Sequence, residues 1–269
     1  MAADYADDFR QMFVVTKNEM IKYTRGKKAI ILLAIILLIW GLLTSTAFIF
    51  GDGIEKPEEL SIYMGFAWFL IIAVVTMFSS GTIVSEFEDR TALVLFTRPI
   101  RKVSIFIGKT VAALVLGILA VSIYFFLSLA TVAASTGKIP SYSGLMFLLL
   151  VAGTFAATGV SLLISAVVKK GNTAAVLTFF TLLLITNIIY SSLLLIAKVD
   201  PWFMIDIITN DLNLVLDMGP THMDSYVDSS LGIDILYPSY NPYRTVGVCL
   251  LWGAVGTTLS YLLFRRKEI

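Results

Sequence analysis

Residues able to do chemistry are few and scattered. His222 is the only histidine and Cys249 the only cysteine in the 269 residues. A metal centre needs several convergent ligands, and a nucleophile needs a base within reach. Neither residue has such company, so His222 reads as a surface residue and Cys249 as a small apolar one. A phosphate loop of the form GxxxxGK is missing, since Gly137-Lys138 lacks the earlier glycine. The expectation is a chain with no catalytic residue, no metal and no cofactor of its own. Some neutral polar groups sit inside apolar runs. Thr76, Ser79, Asn187 and Tyr190 are candidates for lining a pathway, against the plainer reading that such groups bond back to their own helix. The densest chemistry lies in residues 85–109, SEFEDRTALVLFTRPIRKVSIFIGK. Glu86, Glu88, Asp89, Arg90 and Thr91 precede an apolar stripe of Leu93, Leu95 and Phe96, followed by Arg98, Pro99 and Arg101. A short helix of this kind can be gripped by a protein partner; the plain alternative is that its charges serve only topology and headgroup contact.

The elements that must hold these groups are set by composition. Hydrophobic residues make up 58% of the chain and charged ones 14%, with a mean hydropathy of +0.87. Soluble domains carry roughly 45–50% apolar and about 25% charged residues. A soluble enzyme, a nucleic-acid binder and a disordered chain are therefore excluded. A helical membrane span needs about 20 apolar residues. Residues 29–50, 61–84, 110–134, 144–168, 173–197 and 245–264 qualify, and none of them contains Asp, Glu, Lys, Arg or His. These runs are too long and continuous for the alternating strands of a membrane barrel. The fold class is an all-α integral membrane protein with six transmembrane helices.

Basic residues orient the spans. Sixteen of the 20 Lys and Arg fall in residues 1–28, 85–109, 169–170 and 265–269, whereas 11 of the 19 acidic residues fall on the other side. Both termini are therefore expected in the cytoplasm, with the chain in the cell membrane. The first span resembles no cleaved signal, because 28 residues including four acidic ones precede it and its apolar run is too long.

Three non-membrane pieces are long enough to matter. In residues 1–28, Phe9, Met12, Phe13, Thr16 and Met20 recur at helical spacing, with Arg10, Lys17 and Lys22 largely elsewhere. This predicts an amphipathic helix in the inner interface; the alternative is a solvated basic tail. Residues 85–109 are too long for a mere connection between spans. Pro99 ends one short helix near Thr97, and Val103, Ile105, Phe106 and Ile107 lead another into the third span. Residues 198–244 form an acidic outer loop. Pro201 and Gly219-Pro220 bracket a helix over residues 201–218, with Phe203, Ile207, Ile208, Leu212 and Val215 on one face and Asp206, Asp211 and Asp217 largely off it. Residues 221–243 read as an ordered loop at best.

The charged stretch resembles the cytoplasmic connection in permease subunits of ATP-binding cassette (ABC) transporters of the type 2 exporter family. The matching pieces are Glu86 and Glu88, the step Arg90-Thr91-Ala92, the apolar residues 93–96, Arg98-Pro99, Arg101, and Gly108-Lys109 opening the next span. Arg90 departs from the pattern, where the family often has Gly. The amphipathic start, six spans, inner termini, outer loop and the ending FRRKEI extend the likeness over the chain. It implies that residues 85–109 contain a coupling helix seated in a groove of an ATPase subunit, with Glu86, Glu88, Asp89, Arg90, Thr91, Arg98, Pro99 and Arg101 at the contact. It implies an elbow helix carrying Phe9, Met12, Phe13, Lys17 and Met20, and a six-span domain over residues 29–264 followed by a tail, 265–269. Expected partners are two ABC ATPase subunits, which would hold ATP and Mg, a second permease copy or sister subunit, the bilayer, and no nucleic acid. The cargo expected from the apolar spans is lipid-like, amphipathic or peptidic. A second reading follows the nitrous-oxide-reductase maturation permease, another branch similar in layout. In it the chain passes force to an extracytoplasmic partner without moving cargo. A non-transport scaffold would leave the coupling motif without a purpose.

Overall fold

A computed structural model describes residues 2–51, 53–85, 102–228 and 235–266, with side chains from residue 9 onward. The chain begins with α1 (Ala2–Arg25) and, after Gly26, α2 (Lys27–Ile49). A 3-10 turn, Pro57–Glu59, leads into α3 (Leu60–Met64) and α4 (Ala67–Phe78). Next come α5 (Lys102–Thr136) and α6 (Ser143–Val167). Then α7 (Gly171–Phe180) passes through a π turn, Thr181–Ile185, into α8 (Thr186–Leu195). Within residues 198–244 the chain folds as α9 (Ile207–Met218) and an antiparallel hairpin of β1 (Tyr226–Asp228) and β2 (Ile235–Tyr237), before α10 (Pro242–Arg266).

Five helices are long and apolar enough to cross a membrane: α2, α5, α6, α7 with α8, and α10. A further pair, Pro57–Met64 with α4, is apolar enough when taken together but bent by 43°, the geometry of a broken span or of a re-entrant loop, so the described residues supply five spans, or six if this pair is one. The expected unbroken helix over residues 61–84 is thus corrected. Gly65 and Phe66 form a turn in which the Phe66 N–H donates to Tyr63 O at 3.2 Å. Gly65 also faces the Asn213 side chain of α9, so the outer helix packs where the span breaks. At the other end the helix stops at Phe78, and residues 79–83 turn. There the hydroxyls of Ser80 and Thr82 donate back to the carbonyls of Thr76 and Phe78, a competition that weakens regular helix.

The core is centred on α4, with Leu70, Ile71, Ile72 and Val74 wholly buried. Around it stand Met146, Leu149 and Leu150 of α6 and Ile208, Leu212 and Val215 of α9. In contrast α2 buries only Leu32 and Ile36 fully, packs Ile35, Ile39, Trp40 and Leu43 partly against the core, and exposes Ile30, Leu33, Leu37, Leu38 and Leu42. Helices α6 and α10 cross with their backbones in contact. A Cβ on Gly159 would stand 2.6 Å from Gly253 O, and one on Gly256 would stand 2.5 Å from the Gly159 carbonyl carbon. Small residues permit this approach. Gly153 serves a different neighbour, because a Cβ there would meet Ile208 Cδ1 at 2.3 Å.

The outer segment departs from its sequence reading in three ways. The helix starts at Ile207 rather than at Pro201, and Phe203 is exposed, although Ile207, Ile208, Leu212 and Val215 are buried as expected. Asp206 and Asp211 are buried and only Asp217 faces out. Part of residues 221–243 is a hairpin, with Tyr226 paired to Tyr237 and their rings stacked at 4.9 Å. The all-α class therefore carries one small sheet. Cross-strand aromatic pairing supplies what a short hairpin lacks in length.

Candidate functional site

The proposed coupling residues Glu86, Glu88, Asp89, Arg90, Thr91, Arg98, Pro99 and Arg101 lie outside the described residues. Both roots of that segment are described, and both are held firmly. On the incoming side, the backbone N–H groups of Ile83 and Val84 donate to the Ser165 hydroxyl of α6, each at 3.2 Å. On the outgoing side, Phe106 of α5 packs with Ile83, Leu162, Ala166 and Phe264 in a small cluster separate from the main core. Its ring lies 5.4 Å from that of Tyr261 and 5.8 Å from that of Phe264. One apolar knot therefore joins the two roots to α6 and to the end of α10.

A second clamp comes from α1. At 35 residues and about 1.5 Å per residue, α5 is much longer than the roughly 30 Å of hydrocarbon. Its first turns form a platform on which α1 lies. The helices meet at Gly108, where a Cβ would stand 2.9 Å from Met12 O and from Val15. The Thr16 hydroxyl is shared between Met12 O at 2.9 Å and Gly108 O at 3.1 Å. Beside this contact, Lys109 Nζ donates to Glu19 Oε1 at 2.7 Å, with the two side chains only 6% and 13% exposed. Gly108-Lys109 thus has a physical meaning: the glycine admits α1 and the lysine locks it. Glu19 was missed as a partner because 90 residues of sequence separate it from Lys109.

Of the elbow residues, Met12 and Met20 turn partly inward, whereas Phe9, Phe13 and Lys17 are exposed. The apolar stripe is divided between the protein and its surroundings. The pathway candidates are not brought together. Thr76 and Ser79 stand at the end of α4. Asn187 is exposed on α8 and Tyr190 is half-buried there. That is 16 residues beyond the start of α7, or about 24 Å along the helix. The hydroxyls of Ser128, Thr154 and Thr186 donate to carbonyls four residues back in their own helices.

The rim formed by residues 198–244 is built on buried carboxylates. Asp211 is fully buried and accepts from Thr245 at 2.7 Å and from Asn210 at 3.3 Å. Asp206, 3% exposed, accepts from Thr186 at 3.2 Å. Loss of water raises both to about 6, opposed for Asp206 by the Thr186 hydroxyl and for Asp211 by Thr245, Asn210 and the Arg244 charge. Nearby, Arg244 donates to Ser239, Ser239 donates to Asp200, and the guanidinium stacks 5.5 Å from the Trp202 ring. Tyr240 is buried and donates to Gly219 O. The His222 ring lies between two acceptors, with Nδ1 3.2 Å from Tyr240 O and Nε2 2.9 Å from Asp224 Oδ1. Among the described residues, no group of three or more His, Cys, Asp or Glu side chains is placed to hold a metal ion.

Apolar helices of spanning length around a buried α4 define a multi-pass helical membrane protein. Residues 13–269 match the ABC-2 family transporter protein description, and the chain belongs to that family. Members are membrane permease components of ABC transporters and are generally non-catalytic. No curated relative matches the chain.

Proposed function

We propose that this chain is the permease half of an ATP-driven transporter, receiving motion from partner ATPase subunits through residues 86–101. The observation that carries this reading is the double anchoring of that segment. Ser165 pins its incoming root and the Gly108, Lys109 and Glu19 clamp fixes its outgoing root. A displacement imposed on the segment would reach α4 and α5 together, and through α5 would carry α1. Packed interiors move as discrete units and do not absorb such strain smoothly. On this reading Glu86, Glu88, Asp89, Arg90, Thr91, Arg98, Pro99 and Arg101 face the ATPase, which holds ATP and Mg. The termini lie on the cytoplasmic side, α1 is the elbow helix, and the functional unit contains a second permease copy or a sister subunit. The cargo class is lipid-like, amphipathic or peptidic, in keeping with spans that carry no ionised side chain.

The second reading, force passed to an extracytoplasmic partner, draws on the outer rim. α9 packs directly on α3 and α6 and ties to α10 through Thr245 and Asp211, so bundle motion would move the rim.

Affinity purification of the detergent-solubilised chain from its native host tests the proposal. A co-purifying ABC ATPase, released by Glu86→Lys with Arg98→Glu, is the expected result. Retention of the ATPase by that double variant would remove residues 86–101 from the contact, and no ATPase with the wild-type chain would end the transporter reading. Outer proteins recovered in the same sample would favour force transmission.

A further inference from the structure

At the end of the bundle away from the α1–α5 clamp, the turn between α8 and α9 carries two large bare side chains. Trp202 is 46% exposed and Phe203 44%, whereas Met204 and Ile205 directly after them are buried. The turn is thus fixed on its inner side and open on the other. We propose that Trp202 and Phe203 form a membrane anchor, seated in the interfacial layer of the bilayer leaflet at that end. Whether cargo passes, and which ATPase drives it, has no bearing on this anchor.

The depth of the turn is set by α10. The Trp252 indole N–H donates to Phe203 O at 2.9 Å. Trp252 stands seven residues beyond Thr245, where the charge-free run of α10 begins, or about 10 Å along the helix. Helical side chains lean towards the N-terminus, so the indole recovers part of that distance and part remains. The Phe203 carbonyl therefore lies alongside the apolar run. Trp252 is itself exposed there and borders a stripe of exposed Leu251, Val255 and Leu259, which faces lipid if α10 spans. Trp202 and Phe203 extend that surface to its edge. At the edge the Arg244 guanidinium, one residue before the run, stacks 5.5 Å from the Trp202 ring. An indole between a cation and an apolar surface suits the membrane interface, where its apolar body and polar tip are both accommodated.

The backbone of the turn is suited to the same surroundings. Polar backbone groups out of water need partners inside the protein. Pro201 has no N–H to satisfy, and its carbonyl accepts from the Met204 N–H at 2.9 Å. The Phe203 carbonyl takes the indole. A turn in water would need neither arrangement. The anchor also has a use in the fold. Asp206, two residues beyond Met204, accepts from Thr186 of α8, so a depth fixed at Trp202 and Phe203 fixes where α9 begins.

Spin labels on the full-length chain, reconstituted in phosphatidylcholine vesicles, test this. They are attached at Phe203→Cys, Leu251→Cys or Asp217→Cys in a Cys249→Ala background, which leaves one cysteine in each protein. Oxygen concentrates in hydrocarbon and a nickel chelate in water. The ratio of oxygen to nickel collisions at 203 should exceed that at the exposed position 217 several-fold and approach that at 251. Nickel access at 203 equal to that at 217 would place the turn in water and overturn the proposal. Low access to both reagents would show cover by a second copy or another protein, and would overturn it as well. Native tryptophan supplies a second measurement should the cysteine proteins misfold. The fluorescence difference between wild type and Trp202→Phe isolates Trp202 in vesicles of brominated lipid. Bromines near the headgroup end of the acyl chains should quench it more than bromines near the chain ends. Stronger quenching from the chain ends, or no quenching by either lipid, would overturn the anchor.

Discussion

The two ends of the bundle bury charge by opposite means. At the basic end a cation and an anion from different helices, Lys109 and Glu19, neutralise each other in one contact. At the acidic end, Asp206 and Asp211 are surrounded chiefly by neutral donors, Thr186, Thr245 and Asn210, with Arg244 at a distance. A buried pair is insensitive to moderate pH changes and fails abruptly when one member is lost. Buried carboxylates held by hydroxyls pay for desolvation by taking up protons more readily. The first arrangement suits a rigid joint where α5 emerges from residues 86–101. The second suits a cap whose stability follows the acidity around it.

The largest expected effect tests the joint. Lys109→Ala would leave the Glu19 carboxylate nearly buried beside α5 and cost about 3 kcal/mol. Lys109→Met with Glu19→Leu would recover most of it. Thermal unfolding of the purified chain, read as a double-mutant cycle, measures both. If the single and double variants melt alike, the pair is not a joint.

Next comes the pin. Ser165→Ala would strip the Ile83 and Val84 N–H groups of their acceptor, at a cost of about 1–3 kcal/mol. Ser165→Thr keeps the oxygen and should lose less. Hydrogen exchange at residues 83 and 84 should rise in the alanine protein and stay low in the threonine protein.

Acidity probes the outer rim. Asp206 and Asp211 titrate near 6 when folded, against an ordinary value of 3.8. Between those values the folded state binds more protons than the unfolded one. Stability therefore rises as pH falls from about 7 towards about 4, and is lost as pH rises through about 6. The gain is on the order of 2 kcal/mol per carboxylate. Melting of the Asp206→Asn and Asp211→Asn double variant should be flatter over this window, whereas the Lys109 and Glu19 variants should keep the wild-type slope. An unchanged slope in the asparagine protein would place the titration elsewhere.

The smallest effect concerns the hairpin. Tyr226→Ala removes the stacked partner of Tyr237 and should cost about 0.5–1.5 kcal/mol, confined to local protection of residues 235–237. A global loss of stability would show that the hairpin supports the bundle.

Much of this architecture is visible in the residue order. The apolar runs match α2, α5, α6, α7 with α8, and α10 to within a few positions, except that α5 gains the amphipathic turns before residue 110. Continuous hydrophobicity over a membrane thickness leaves the backbone no alternative to helix. The bend at Gly65 was not legible, because apolar composition is the same on both sides of it. The depth of Asp206 and Asp211 was not legible, since an aspartate on an amphipathic helix is ordinarily solvated and the groups that make burial tolerable, Thr186 for one and Thr245 and Arg244 for the other, come from other segments. The hairpin escaped notice because its three-residue strands carry too little alternation to register.

What the sequence determined by itself was the solvent: charge-free apolar runs and lopsided lysines and arginines specify a helical membrane protein, and the motif around Arg98-Pro99 pointed to its family. What only the tertiary structure decided was which distant residues meet. Glu19 finds Lys109, Ser165 catches the backbone of Ile83 and Val84 beyond α4, Gly159 admits α10, and Lys22 and Lys28 come to share a cavity with Thr76. Local periodicity reports how each segment meets its surroundings. Contacts between segments far apart in the chain arise from close packing of the whole bundle, where a single missing Cβ or one extra hydroxyl selects the neighbour.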